Sequence, residues 1–381
     1  MSFDLFRAVA VAALGTALGA ASLSGTASAE TFSANTFFGP QHPLAKTGYT
    51  EFAAAVAKNS GGEIEFEVFS GGSLLPPRES IQGTGDNVAQ VTYHAGTYTP
   101  SDLPLTNVIA DLSFLSPDSW VMAFASTDFN MNYPGLQAEW RKNNVVYGGG
   151  YSSIPYRLIC AKPVRTLADL KGAKLRMPGG AWDRFATFIG ATPVNVPGSE
   201  MYTGLQRGSL DCAANGTDSL ETFGLWDVVK GVNMVGLGVY FSGVQWAYNA
   251  DFWQERTPHQ RRVLLDTMAE YMVRTTAAYV QSGADAEAKA SSQNVELIDP
   301  DATVSKALSD FAHQDQATVA QLAKERHGVA DPEPLIKAFN ATIEKWKGLL
   351  SGVDKSDLDA LIALSHSEIY DKIDENTYGM E

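Results

Sequence analysis

Residues 167–211 read LADLKGAKLRMPGGAWDRFATFIGATPVNVPGSEMYTGLQRGSLD. Short apolar clusters alternate here with amphipathic stretches, and glycine or proline punctuates the boundaries. The pattern predicts a helical turn at 166–171, strands at 174–177 and 193–196, helices at 181–189 and 200–207, and a strand at 212–215. Strands that alternate with helices build an open, largely parallel sheet. Arg176 falls at the carboxyl end of one strand, and Pro178-Gly179-Gly180 leads from it into a helix. Ligands of open α/β sheets bind at this edge. A guanidinium there can meet a carboxylate with two parallel hydrogen bonds, and the free N–H groups of a helix start add to the attraction.

The same rhythm runs upstream. Residues 30–38 alternate as a strand, and 44–59 follow as a helix stopped by Ser60-Gly61-Gly62. Residues 63–69 (EIEFEVF) alternate strictly, Pro76-Pro77 opens a short helix, and 88–93 form another strand. A second unit begins after Gly148-Gly149-Gly150 with a strand at 155–161. Helices dominate the last third. Thr257-Pro258 is an N-cap followed by proline at the first helical position. No glycine interrupts the chain from there to Gly283. A helix running on toward Ser291 would be about 50 Å long, enough to brace two lobes.

The chain has 381 residues, with 28 Lys plus Arg against 43 Asp plus Glu. It is long enough for two cores. Its first 29 residues carry Arg7, an apolar stretch at 8–21 and the small-residue site Ala27-Ser28-Ala29. They read as a secretory signal peptide cut before Glu30. Its loss removes one acid (Asp4) and one base (Arg7), so the net charge stays at −15. That charge excludes nucleic acid as a partner. It also means that an anionic ligand would need a local cationic pocket in a repulsive field. Cys160 and Cys212 are the two cysteines. An oxidising compartment permits a disulfide between them, and a pair of buried thiols fits equally.

Enzyme signatures are missing. The six histidines (His42, His94, His259, His313, His327 and His366) show no metal-ligand spacing. No nucleophile elbow, P-loop or dinucleotide fingerprint is present. The sequence therefore calls for no catalytic residue, no metal and no cofactor.

Three stretches carry a resemblance: DLKGAKLRMP at 169–178, GATPV at 190–194 and EMYTGLQRGSLD at 200–211. GGEIEFEVF at 61–69 and the SGGSL that follows add to it. Together they resemble the solute-binding receptors of the tripartite ATP-independent periplasmic (TRAP) transporters. The resemblance implies an α/β, two-lobed periplasmic binding protein with open mixed sheets, hinge strands and a long lobe-spanning helix. The implied divisions are a signal peptide at 1–29, the first lobe at 30–153 and the second at 154–241. Residues 242–281 would return to the first lobe and start the brace helix. Residues 282–381 would finish that helix and add C-terminal helices, mainly on the second lobe.

The resemblance also implies a function: capture of a small organic acid by lobe closure and delivery to TRAP permease membrane subunits, uptake being driven by an ion gradient. Arg176 becomes the carboxylate anchor and Asn215 an amide donor to the ligand. Such receptors often read D-G-x-E-N where this chain has Asp211-Cys212-Ala213-Ala214-Asn215, and many carry a second basic residue where Tyr156 stands, with Arg157 adjacent. Neighbours in a strand face opposite sides, which favours Tyr156 as the one that reaches the pocket. Tyr93 and His94 end a first-lobe strand and are candidate polar contacts, His94 also fitting a structural role. Phe37, Phe241 and Trp246 are candidate aromatic walls or ordinary core. A monocarboxylate with an apolar body, a dicarboxylate, a sugar acid and a zwitterion all match one arginine with polar and aromatic walls. The missing second base argues against a dicarboxylate, and the aromatics point to a compact apolar or aromatic acid. The alternatives are a periplasmic hydrolase of a small acidic substrate and a sensory binding protein.

Overall fold

The computed structural model describes residues 30–381; the expected signal peptide lies outside them. The strands, in chain order, are β1 (Glu30–Asn35), β2 (Ile64–Phe69), β3 (Val91–Ala95), β4 (Val145–Tyr147), β5 (Arg157–Cys160), β6 (Lys174–Arg176), β7 (Thr192–Val194), β8 (Cys212–Asn215), β9 (Gly231–Asn233), β10 (Gly243–Asn249) and β11 (Glu296–Ile298). They form two mixed sheets. The first runs β2-β1-β3-β10-β4 and the second β11-β9-β5-β8-β6-β7. In each, the parallel strands are joined through helices and the antiparallel ones arrive from the other direction of travel: β10 opposes β3 and β4, and β5 opposes β8 and β9.

The lobes are joined by two antiparallel crossing segments and one helix. Residues 148–156 pair with 237–246: Gly148 N–H bonds Trp246 O at 2.8 Å, Ser153 N–H bonds Tyr240 O at 2.8 Å, and Tyr156 N–H bonds Gly238 O at 2.8 Å. The helix Pro258–Lys289 is capped by Thr257 and Gln260 in a reciprocal box. Its first turns bury Leu264, Leu265 and Met268 in the large core of the first lobe, and Ala286 belongs to the smaller core under the second sheet. Its 32 residues span about 48 Å.

Cys160 and Cys212 are register partners on β5 and β8 and are joined as a disulfide. The bridge closes a loop of 52 residues. Replacing both cysteines with serine is expected to lower the unfolding free energy by about 2–4 kcal/mol, through the larger entropy of the unfolded chain; urea titration of the double variant measures it.

The placement expected for residues 282–381 needs correction. The helix Ala302–His327 lies across the junction of the lobes, touching helices of both. The helix Glu333–Leu350 packs on the first lobe along Ser119–Asn132, with Phe339 against Phe129 at 5.1 Å and Trp346 against Phe124 at 4.7 Å. The reason is on the partner. Ser119–Asn132 is buried nearly all round and needs cover on its outer side, which the stripe Leu335, Phe339, Ile343, Trp346 and Leu350 supplies. The helix Leu358–Glu368 then lies on the long helix, and Tyr378 donates from its hydroxyl to Tyr147 O at 2.7 Å.

Candidate functional site

The carboxyl ends of β1, β3, β6, β7 and β8 converge between the lobes, and residues just beyond them line a small cavity of about 30 Å³. The first lobe contributes Phe38 and His42 after β1, and Tyr93, Ala95 and Tyr98 in and after β3. The second contributes Arg176 and Pro178 from β6, Gly198 after β7, and Asn215 and Asp218 from β8. Tyr151, Ser153, Tyr156 and Tyr240 come from the crossing segments, and Tyr279 from the long helix.

Arg176 is 2% exposed. Its Nε donates to Val196 O at 3.1 Å, Nη1 to Ala214 O at 2.9 Å and Nη2 to the Tyr98 hydroxyl at 3.2 Å. A guanidinium has five N–H groups. Three are used, leaving one on each terminal nitrogen. Among the described residues Arg176 forms no ion pair. Two carbonyls and a tyrosine hold the buried cation in position, and its two remaining donors are of the kind a carboxylate accepts. Tyr98 belongs to the first lobe and also accepts from Gly198 N–H at 3.1 Å, so it bridges both lobes at the guanidinium.

The walls are neutral donors and rings. Tyr156 stacks on Tyr240 at 6.1 Å and 15°. Burial raises the pKa of Tyr156, Arg176 pulls it down, and Asp218 raises it, so its hydroxyl stays protonated. Tyr240 donates to or accepts from Thr97 Oγ1 at 2.7 Å. Tyr93 shares a short hydrogen bond with Tyr151. His42 lies flat on Phe38 at 3.7 Å, and its Nδ1 accepts from Leu44 N–H at 3.2 Å. Burial holds the His42 pKa down at about 3, so the ring is neutral with its proton on Nε2. Asn215 Oδ1 accepts from Gly216 N–H at 2.9 Å, and its amide has only the Met201 sulfur at 3.4 Å as a partner.

Of the residues singled out from sequence, the structure brings Arg176, Asn215, Tyr156 and Tyr93 together at the cavity. Arg157 turns away and donates to Met234 O at 2.8 Å. Four others do not line the cavity; Phe37 is one, buried behind Tyr93 with ring centroids 5.1 Å apart. His94 is 0% exposed, with Nδ1 on Ser80 Oγ at 2.8 Å and Nε2 on Thr99 Oγ1 at 2.9 Å. Tyr93 and Ala95 face the cleft, so alternation aims His94 at the opposite face of β3. Phe241 packs on Phe339 at 5.6 Å, inside the first lobe. Trp246 packs on Phe52 at 4.8 Å and donates from Nε1 to Gly48 O at 2.9 Å. Both β3 and β10 are buried on both faces, which hides the direction of any one side chain from a hydropathy pattern. Residues missed from sequence are His42, Tyr98 and Asp218. Each stands within seven residues of a strand's carboxyl end, the one signal that would have found them.

Asp218 gives a pH prediction. It is 3% exposed, and burial pushes its pKa up to about 7. Below about pH 4 it is protonated in both folded and unfolded chains and contributes nothing. Between that point and pH 7 the unfolded chain releases the proton and the folded one keeps it. Its contribution to stability therefore falls as pH rises, by up to about 1.4 kcal/mol per pH unit, and is constant above the folded pKa. Unfolding of the ligand-free protein across pH 4–8 should show this slope, and Asp218→Asn should remove it.

A family model described as bacterial extracellular solute-binding protein, family 7, matches residues 34–321. The chain is 27% identical over 232 residues to the C4-dicarboxylate-binding protein DctB of Bacillus subtilis, covering 58% of this chain and 62% of that protein. It thus spans about three fifths of the length of the curated relatives it matches. The fold is that of DctP7, a Bordetella pertussis extracytoplasmic solute receptor binding pyroglutamic acid: TM-score 0.71 at 20% identity, over 82% of this chain and 100% of that one. A TRAP solute-binding protein of Rhodoferax ferrireducens, in complex with copurified benzoate, superposes with TM-score 0.71 at 20% identity, over 84% and 99%.

Proposed function

This chain belongs to the bacterial extracellular solute-binding proteins of family 7, and on that premise we propose that it is the periplasmic receptor of a TRAP-type secondary transporter. It captures a small carboxylate by closing its lobes and presents the closed form to the membrane permease. The observation that carries the reading is Arg176: a buried guanidinium without a counter-charge, its two remaining donors available in a cavity shared by both lobes. An anion is what such a site lacks. Closure places Tyr98 of the first lobe on the same guanidinium and removes water, which strengthens each charged hydrogen bond.

The lining narrows the ligand. Walls of tyrosine and phenylalanine favour an acid with an apolar body over a sugar acid. Arg176 is the one basic side chain lining the cavity whose charge persists at neutral pH, since His42 is neutral. A second carboxylate would have no partner. Ligands named for relatives, pyroglutamic acid and benzoate, are compact monocarboxylates of this kind.

The hydrolase alternative lacks a paired nucleophile and base in the cavity. Ser153 and His42 line it but are not hydrogen-bonded to each other: Ser153 Oγ donates to Ile154 O at 2.8 Å and His42 Nδ1 accepts from Leu44 N–H at 3.2 Å. Ser80 and His94 are hydrogen-bonded, but both are fully buried and neither lines the cavity. The test is a thermal-shift panel of organic acids. A receptor stabilised at 100 times the dissociation constant gains about 2.7 kcal/mol, and the acid should be recovered unchanged. A protein that no carboxylate stabilises, or that converts one, would contradict the proposal.

A further inference from the structure

We propose that the ligand carries an N–H donor or cationic nitrogen close to its carboxylate, and that Asp218 is the residue that selects for it. The inference rests on the reading that Arg176 holds the carboxylate. Asp218 lines the same cavity and is 3% exposed. Among the described residues it forms no ion pair. Arg176 and Asp218 follow adjacent parallel strands, Arg176 standing in register with Ala213 on β8. Yet no N–O approach between them is within ion-pair distance, so neither neutralises the other. The cavity therefore has a cationic corner at Arg176 and, at Asp218, a buried carboxyl that ionises near pH 7, each lacking a side chain of opposite charge as a partner.

A local structural duty does not account for the carboxylate. Asp218 precedes a helix of only four residues, Ser219–Thr222, and its side chain makes no capping hydrogen bond there. Its carboxyl meets its own backbone N–H and that of Ser219; beyond them the surroundings are apolar or phenolic. Tyr156 of the crossing segment and Tyr279 of the long helix sense its charge. A Cβ on Gly216 would stand 2.3 Å from its Oδ1, so the chain itself is pressed against the carboxylate. The two backbone donors do not offset its burial, which pushes its pKa up to about 7, so a further donor would stabilise the ionised form. A ligand N–H supplies that donor and forms a charge-assisted bond in a dry site. One small ligand meets both groups when its nitrogen stands near its carboxylate, as in an α-amino acid, a cyclic imino acid or a lactam acid.

The experiment is calorimetric titration with three five-membered-ring acids of one shape: L-pyroglutamate (lactam N–H), L-proline (cationic nitrogen) and cyclopentanecarboxylate (no N–H), with benzoate alongside. Wild-type protein should bind one of the two nitrogen acids about tenfold or more tightly than cyclopentanecarboxylate. In Asp218→Asn the ratio of nitrogen-acid affinity to cyclopentanecarboxylate affinity should fall toward one. Equal or tighter binding of cyclopentanecarboxylate overturns the proposal, as does a preference that survives in Asp218→Asn or binding of benzoate with neither nitrogen acid bound. Failure of every carboxylate to bind removes the reading of Arg176 beneath it and the proposal together.

Discussion

Replacing Arg176 with alanine is expected to weaken ligand binding by about 2–5 kcal/mol, roughly 30- to 5,000-fold. Most of that loss comes from leaving a carboxylate in a dry cavity with hydroxyl and amide donors alone. Removing the side chain also frees Val196 O and Ala214 O, which it satisfies in the folded protein. Unsatisfied buried carbonyls cost stability, on the order of 1–3 kcal/mol each, so the variant should melt earlier as well as bind worse. Arg176→Lys separates the effects. It restores a positive charge but not the planar fork that reaches two carbonyls, Tyr98 and an anion at once. Its binding should fall between those of wild type and the alanine variant. Calorimetry gives the affinities, and circular dichroism at the same temperature checks that each variant is folded.

The second large effect is expected at Arg184→Ala, where stability rather than ligand affinity should change, by about 3–5 kcal/mol. Arg184 joins two acids from different parts of the chain: Nη1 meets Asp111 Oδ1 at 2.9 Å and Nε meets Asp315 Oδ1 at 2.5 Å. His327 Nε2 approaches the other oxygen of Asp111 at 3.0 Å. Burial pushes the Asp111 carboxyl up, but His327 and Arg184 outweigh it and hold it below the usual range. The cluster is close-packed, since a Cβ on Gly180 would lie 2.6 Å from Asp111 Oδ1. It ties the first lobe, the Gly180–Phe188 helix of the second and the Ala302–His327 helix together. Without Arg184 two acids remain at the junction with one histidine between them. Urea unfolding of the variant near pH 7 measures the loss. As pH falls through the lowered Asp111 pKa, the difference from wild type should shrink.

The scaffold was legible in the sequence because it depends on periodicity, and the place of Arg176 at a strand end followed from the same pattern. Alternation of short strands with helices predicted two open sheets, and Arg176 stood out because a strand end, a Pro-Gly-Gly run and a helix start coincide there. Parity allowed only one of Tyr156 and Arg157 to reach the pocket, and it is Tyr156, the residue in the slot that the resemblance marks, that lines the cavity. Parity was no help for Tyr93 and His94. It says that one of them faces the cleft, but β3 is buried on both faces, so nothing in the polarity of its neighbours says which. The same two-sided burial made Phe241 and Trp246 look like cavity walls. Asp218 was invisible for another reason. It lies beyond β8, and its direction is set by the turn at Gly216 and Thr217, not by any repeat. The final two helices were misassigned because an amphipathic stripe says that a helix needs a partner and not which partner.

The most direct measurement is a crystal structure of the protein with the carboxylate that stabilises it most in the thermal panel. The account predicts that acid in the cavity between the sheets, with both carboxylate oxygens about 2.7–3.2 Å from Arg176 Nη1 and Nη2 and the ring or chain against Tyr156 and Tyr240. An acid bound at the Asp111–Arg184 cluster instead, or in the cavity with its carboxylate turned away from Arg176, would contradict it.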